Sequence, residues 1–452
     1  MGIDTHDGLN TTGEYGTEGR AARGTPSGVV FKRHFTTRQE TLDSVLSSVV
    51  YEKRVTTLKN RAGKVVWSNE KEGGFRVPKF WSQLAGDIVA EKYSRKRGVN
   101  LPNGRESGVD DVIRRITRGI SERGWALGYF STKEEQVTFE AELAFLQIHQ
   151  YGAFNSPVWF NVGLHLIGAE GGENNWKWHP NRGVWEPTTK ADNYQYPQAS
   201  ACFILRREDT LKDIFKGVGD ESQLFKGGSG AGSNFSRIRG ENEPLSGGGK
   251  SSGLLKFLKV YDSGAGATKS GGTTRRAAKM VCLDVDHPDI VPFVKWKARE
   301  EYKAQVLLDA GIGLDANGNP DFNGEAYETV GGQNANNSIR VTDDFMRKAT
   351  GADPDPTFTT HYRTTGEVCE TLSASLVLDE MAKAAWACGC PGIQYDTYIN
   401  RMNTCAGTDK IYASNPCQPG FATVLTPGGI RTFDEIEVGS MVWSGQDRKS
   451  VV

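Results

Sequence analysis

Apolar residues recur at helical spacing in two stretches of the first third of the chain. Within residues 81–93 they fall at Leu84, Ile88, Val89 and Tyr93, and within 134–151 at Val137, Phe139, Leu143, Leu146 and Ile148. That spacing predicts two amphipathic helices, and residues 31–152 are expected to be mostly helical. Later the pattern changes to short continuous apolar runs bounded by turn residues, at 198–205, 280–285 and 337–341, which predict buried strands. A helix is expected to open at Asp286-His287-Pro288-Asp289, with proline near its start and an acid in its first turn, and another to run over 371–386. Strands alternating with helices predict an α/β barrel or sheet. Residues 168–197, full of Gly, Asn and Trp, read as a long surface loop, and 262–276 as a flexible stretch.

With 452 residues there is room for more than one domain. Lysine and arginine (54) balance aspartate and glutamate (55), so no nucleic acid or membrane surface is demanded as partner and small ligands are expected. No run of 18 apolar residues and no signal-peptide pattern occurs. The seven cysteines, Cys202, Cys282, Cys369, Cys388, Cys390, Cys405 and Cys417, include no CxxC pair, a usage that suits a reducing cytoplasm. Residues 1–28, rich in Gly, Thr and Asp, are expected to be a flexible leader.

Several stretches carry candidate chemistry. Asn155-Ser156-Pro157 sets a hydroxyl and an amide at a proline-fixed turn, which suits either an anion or a plain helix cap. Cys202, on an apolar strand, is either a reactive thiol or a small core residue. The run from Lys226 to Ser236, with Gly227, Gly228, Gly230 and Gly232, reads as a loop in which a ligand approaches the backbone, although it fails the dinucleotide fingerprint at Ser233. Arg275 and Arg276 suit a phosphate or a base. His287 reads as a local cap or a surface residue, and Cys388-Gly389-Cys390, with no second Cys/His pair nearby, as structural thiols.

In order and spacing, Asn155-Ser156-Pro157, Ala201-Cys202, the stretch from Gly228 to Asn234 followed by Arg237-Ile238-Arg239, Gly271-Gly272 with its arginines, Asn336-Asn337-Ser338-Ile339-Arg340-Val341, and Pro391-Gly392-Ile393-Gln394 leading to Asn415-Pro416-Cys417 resemble the adenosylcobalamin-dependent (class II) ribonucleotide reductases. The resemblance covers about residues 30–417. It implies a ten-stranded α/β barrel, incomplete here, preceded by a mainly helical domain, and reduction of ribonucleotides to 2′-deoxyribonucleotides by thiyl radical chemistry. Boundaries are placed at 29–152 for the helical domain and 153–416 for the barrel. By resemblance Cys202 is one member of the reducing dithiol and Asn415 the amide that positions substrate. Ser156, Ala201, Cys202, Gly230 and Asn415 contact substrate. Asp209 and Arg239 bind a deoxynucleoside triphosphate effector, and the loop with Ser270, Gly271, Gly272, Arg275 and Arg276 relays effector identity. The implied cofactor is adenosylcobalamin, with no metal held by the protein itself. Implied partners are a thioredoxin-type reductant and a second copy in a homodimer.

The same sequence departs from the family at one point. The finger loop of these enzymes reads Asn-x-Cys-x-Glu, with a carboxylate for acid/base work, and here Pro419 stands in that place. From Cys417 onward the chain resembles the first splicing block of an intein: Thr423-Val424-Leu425-Thr426, a Pro427-Gly428-Gly429 turn, Ile430-Arg431-Thr432-Phe433, then Glu435-Ile436-Glu437-Val438-Gly439 and Met441-Val442-Trp443-Ser444. An ordinary hairpin after a buried cysteine is the other reading. Residues 417–452 are thus expected to be a β-rich intein N-terminal piece, with Cys417 its nucleophile and a C-terminal intein/extein chain as partner. The alternatives are a class I large-subunit fragment of the same ribonucleoside-diphosphate reductase type, and a chain whose present activity is splicing.

Overall fold

The computed structural model describes residues 28–59, 65–171, 175–179, 182–270, 275–315, 318–321 and 324–415, and the strand segments 423–426, 429–432, 441–442 and 450–451. The chain forms two compact units that divide between Ala201 and Cys202, whereas the sequence alone places the division after residue 152.

The N-terminal unit is built on two long helices, α1 (Val109–Ala126) and α2 (Lys133–Ile148). Helix α1 buries Val109, Val112, Ile113 and Ile116, one apolar stripe at i, i+3, i+4 and i+7, and carries Asp110 and Asp111 in its first turn, where the helix dipole favours acids. Helix α2 begins in a capping box of Thr132 and Glu135. Their core takes in Leu46, Val77, Trp81, Ala144, Ile148 and Trp159. Inside it, buried Arg115 pairs with Glu106 at 2.7 Å and donates to the Val162 and Trp159 carbonyls, so the charge is fully bonded.

Two expectations are corrected in this unit. Four segments of the stretch expected to be mostly helical are strands: Tyr51–Arg54 pairs antiparallel with Phe75–Pro78, and Thr57–Lys59 with Val65–Ser68. Nor is 168–197 a plain loop, since Trp176–His179 and Val184–Pro187 form a hairpin. In both places apolar residues that pair across strands are too few per strand to show a period.

The second unit is an all-parallel sheet of five strands: β1 (Cys202–Arg206), β2 (Gly230–Asn234), β3 (Lys279–Asp284), β4 (Asn336–Val341) and β5 (Gly392–Tyr395). They lie side by side in chain order, each new strand adding to the same edge. Such one-way winding is that of a barrel wall; a doubly wound sheet reverses direction at a switch point. Helices cross over between them: α3 (Leu211–Lys226), α4 (Leu254–Ala267), α5 (Ile290–Asp309) and α6 (Ala374–Cys388). Val281, Leu283, Ile339 and Val341 face these helices and pack with Ile214, Leu258, Phe293 and Met381.

Four readings of the sequence change here. The glycine-rich run at 230–234 is a fully buried strand, not a loop, and 262–267 is the end of α4 rather than a flexible stretch. Residues 371–373 finish a hairpin strand (Val368–Ser373), and helix α6 starts only at Ala374. His287 is no surface residue. It is buried, its Nδ1 accepts from the Asp289 amide at 2.9 Å and its Nε2 bonds the Ile238 carbonyl at 2.7 Å; burial lowers its pKa.

Behind the sheet, Lys279 of β3 forms an ion pair with Glu221 of α3, and both are buried. Ser233 donates to the second Glu221 oxygen at 2.5 Å, and the Lys279 ammonium lies 4.6 Å from the Tyr261 ring centre. Burial lowers the lysine pKa, and the carboxylate opposes that shift. Lys279→Met leaves a buried carboxylate without its cation, so unfolding by denaturant is expected to show a loss of about 3–5 kcal/mol. A loss below about 1 kcal/mol would mean that water reaches the pair.

Candidate active site

The other face of the sheet is polar. Gly230, Gly232 and Asn234 alternate along β2, Met280, Cys282 and Asp284 along β3, and Arg340 and Gln394 come from β4 and β5. Residues 411–415 cross this face. Asn234 Nδ2 donates to the Tyr412 carbonyl at 3.0 Å, Arg340 Nη2 to the Ile411 carbonyl at 2.7 Å, and Gln394 Nε2 to Ser414 Oγ at 2.9 Å. Ala413 packs against Met280 and Cys282.

The glycines of β2 are explained by this crossing. A Cβ on Gly232 would lie 2.1 Å from the Ser414 carbonyl oxygen, and one on Gly230 would lie 2.6 Å from Asn415 Oδ1. The absence of side chains on β2 therefore serves close approach by the chain's own backbone. Asn415 Nδ2 donates to the Phe203 carbonyl at 3.2 Å, and its Oδ1 is buried with no hydrogen-bond partner. A buried acceptor left open costs stability.

Three of the candidate residues are thus brought together. Cys202 is the register partner of Gly230, the Asn415 side chain abuts Gly230, and its amide bonds the residue next to Cys202. The Cys202 thiol is exposed at the start of an edge strand. Asp209 and Arg239 meet each other on the connections that leave β1 and β2: Arg239 Nε lies 2.5 Å from Asp209 Oδ2, and Nη1 donates to the Pro244 carbonyl at 2.8 Å. Lys269–Ser270 pairs antiparallel with Arg275–Arg276, which sets Ser270 opposite Arg275; Gly271 and Gly272 lie outside the described residues. Ala201 ends the N-terminal unit. Ser156, in that same unit, opens a short helix capped by Asn155, with its hydroxyl 3.0 Å from that of Tyr93. Cys417 lies outside the described residues.

Sequence reasoning did not assign Cys282, Arg340 and Gln394 to the site. Their signal was available: polar side chains recur every second residue on otherwise buried parallel strands, where runs are normally apolar throughout. Arg340, 2% exposed, reaches Gln394 Oε1 at 3.0 Å and Asp396 Oδ1 at 2.8 Å through Nε. Burial pushes the Cys282 thiol up to about 11, so it is neutral.

An inner wall of parallel strands crossed by a returning segment is a barrel arrangement, and residues 200–420 match the family model for the ribonucleotide reductase barrel domain. Residues 52–150 match that of class II vitamin B12-dependent ribonucleotide reductase. The chain is 43% identical over 421 residues to the vitamin B12-dependent ribonucleotide reductase of Rhodopirellula baltica, covering 92% of this chain and 38% of that protein. It is 42% identical over 370 residues to the Streptomyces clavuligerus enzyme of the same name, covering 82% and 34%. The chain therefore belongs to the class II, vitamin B12-dependent ribonucleotide reductases and carries their N-terminal region. It spans little more than a third of the length of these relatives.

Membership of this class implies adenosylcobalamin as cofactor. The cavity at the ends of β3 and β4, about 380 Å³ and lined by Asp284, Asp286, Arg340, Lys348 and His361, is charged and too small for a corrin. No cluster of three or more His, Cys, Asp or Glu is placed to hold a metal among the described residues, and none of their helices is long and apolar enough to cross a membrane.

Proposed function

We propose that residues 202–415 supply the first half of the substrate site of a ribonucleotide reductase that removes the 2′-hydroxyl of a ribonucleotide. The observation that carries this reading is the convergence of Cys202 and Gly230 with Asn415, which lies 213 and 185 residues further along the sequence, with an unpartnered amide oxygen at their centre. In this reading Asn415 Oδ1 accepts from a ribose hydroxyl. The Cys202 thiol and a second thiol outside this chain give two electrons and two protons: the C2′–O bond breaks, water leaves, a C2′–H bond forms and the sulfurs join as a disulfide. A thioredoxin-type dithiol then restores them. Adenosylcobalamin supplies the initiating radical, and no step of it is assigned to these residues. The five strands are read as half of a ten-stranded barrel, and exposed Leu211 and Phe215 on α3, with Val260 on α4, support a homodimer. The cytoplasm, which keeps thiols reduced, is the compartment this chemistry suits.

The test is deoxynucleotide formation by the barrel completed with its C-terminal part. Turnover is expected with adenosylcobalamin and a dithiol. Turnover only with a separate radical-generating subunit would instead make the protein a class I enzyme.

The Asp209–Arg239 pair is read as the effector site, and the stretch 270–276 as the relay. Different deoxynucleoside triphosphates are then expected to change the preferred ribonucleotide. Replacing Arg275 and Arg276 by Ala should flatten that response by about tenfold while effector affinity falls less, since each lost charged contact is worth about 1.5–3 kcal/mol at most. Full switching in the double variant would remove the relay assignment.

Residues 417–452 are read as the first piece of an intein. The barrel-domain match ends at residue 420, and Thr423–Thr426 then pairs antiparallel with Gly429–Thr432 as a hairpin.

A further inference from the structure

Cys282 is a buried thiol to which the reductase reading assigns no role, yet it lies under the segment that delivers Asn415. Its sulfur accepts from Gln394 Nε2 at 3.4 Å, and Ala413, the neighbour of Ser414, packs against it. Gln394 also donates to Ser414 Oγ at 2.9 Å, and its own Oε1 is held by Arg340 Nη1 at 3.0 Å. Arg340 in turn bonds the Ile411 carbonyl. The path from β4 through β5 to β3 thus grips the crossing segment at Ile411 and Ser414, on both sides of Ala413.

We propose that Cys282 is a positioning residue, a hydrogen-bond acceptor that orients the Gln394 side-chain amide, which holds Ser414, and through them sets the placement of Asn415. The physical case rests on what sulfur offers there. A methionine or valine would leave this Gln394 N–H group facing a weak acceptor or none, in a place closed to water. An aspartate would supply an acceptor with a charge that the buried face holds only at large cost. A neutral thiol accepts the Gln394 donor at a sulfur distance and fills the gap beside Met280 and Ala413. The same burial that keeps the thiol protonated makes it a poor nucleophile, which separates it from exposed Cys202.

This inference gives Cys282 a place in the substrate site and in that sense rests on the reductase reading. Its test, however, needs no turnover. Amide hydrogen exchange is measured on the full 452-residue chain for the peptide spanning 411–415 and for peptides of α5 and α6 as reference. Cys282→Ala is expected to raise exchange in 411–415 by about fivefold or more, leaving the reference peptides within about twofold, because one bond is lost without global unfolding. Cys282→Ser, which keeps an acceptor, should restore protection to within about twofold of the parent. Gln394→Leu should loosen the same peptide, and adding Cys282→Ala to it should add little, since both act on one network. Parent-like exchange in Cys282→Ala overturns the proposal. So does equal loosening in the Ala and Ser variants, which would mark a packing effect. If the proposal fails in this way, the convergence of Cys202, Gly230 and Asn415 still stands. If the completed barrel lacks reductase activity while 411–415 responds as expected, the reductase reading fails alone.

Discussion

Mixed with a chain that carries the rest of the intein and the C-terminal extein, the 452-residue chain is expected to yield a longer protein joined at Pro416 and lacking residues 417–452. The isolated chain should give no ligated product and no deoxynucleotide. The reason lies in Cys417 and its neighbours. A barrel cysteine of this family needs a carboxylate two residues on, and Pro419 holds that place. As an intein nucleophile, the Cys417 sulfur attacks the Pro416 carbonyl carbon. The Pro416–Cys417 amide bond breaks, a thioester forms, and a proton passes to the freed amine. That shift needs a base to take the thiol proton, which the complementary chain brings on folding. Cys417→Ala removes the sulfur and should abolish joining altogether. Intact mass decides the matter: a product that retains residues 418–452, or reductase turnover by the isolated chain, would defeat this reading.

The second large effect concerns Cys202→Ser in the joined enzyme. A hydroxyl cannot close a disulfide, so multiple turnover with a dithiol reductant should fall by about a thousandfold or more. Nucleotide binding should stay within about twofold, because in the proposed site the amide that meets substrate is Asn415, and its bond to the Phe203 carbonyl involves backbone alone on that side. Assay of initial rate beside equilibrium binding separates the two. Multiple turnover near that of the parent would show that Cys202 is not a reducing thiol, and a parallel loss of binding would make its role structural.

Much of the chain's architecture was legible from local pattern. The helix ending at Ile148 has its apolar residues at helical spacing, and the runs at 280–285 and 337–341 are central strands because buried parallel strands are apolar almost throughout. The candidate site was legible mainly through resemblance in the order of short motifs. Local signals failed where a residue's role depends on something distant. The glycines at 230 and 232 looked like a loop because glycine is common where backbones bend. They lie in a strand, and what they accommodate is the Ser414–Asn415 backbone, nearly two hundred residues later.

The sequence by itself determined the helix ending at Ile148 and the core strands at 280–285 and 337–341, since spacing of apolar residues acts within a few turns or a few strand residues. It also carried the motif order that links the chain to its family and the abrupt change at Cys417. Only the tertiary structure decided which polar residues share a face. Arg340, Gln394 and Cys282 come from three different strands, and the bonds of Arg340 and Gln394 to 411–415 and of Gln394 to Cys282 exist only once parallel pairing sets β3, β4 and β5 in register. The physical reason is that strand register moves whole sets of side chains between faces, and register is fixed by contacts far apart along the chain. A single residue's chemistry can be read from its letter, but whether its donor or acceptor finds a partner is settled by the sheet.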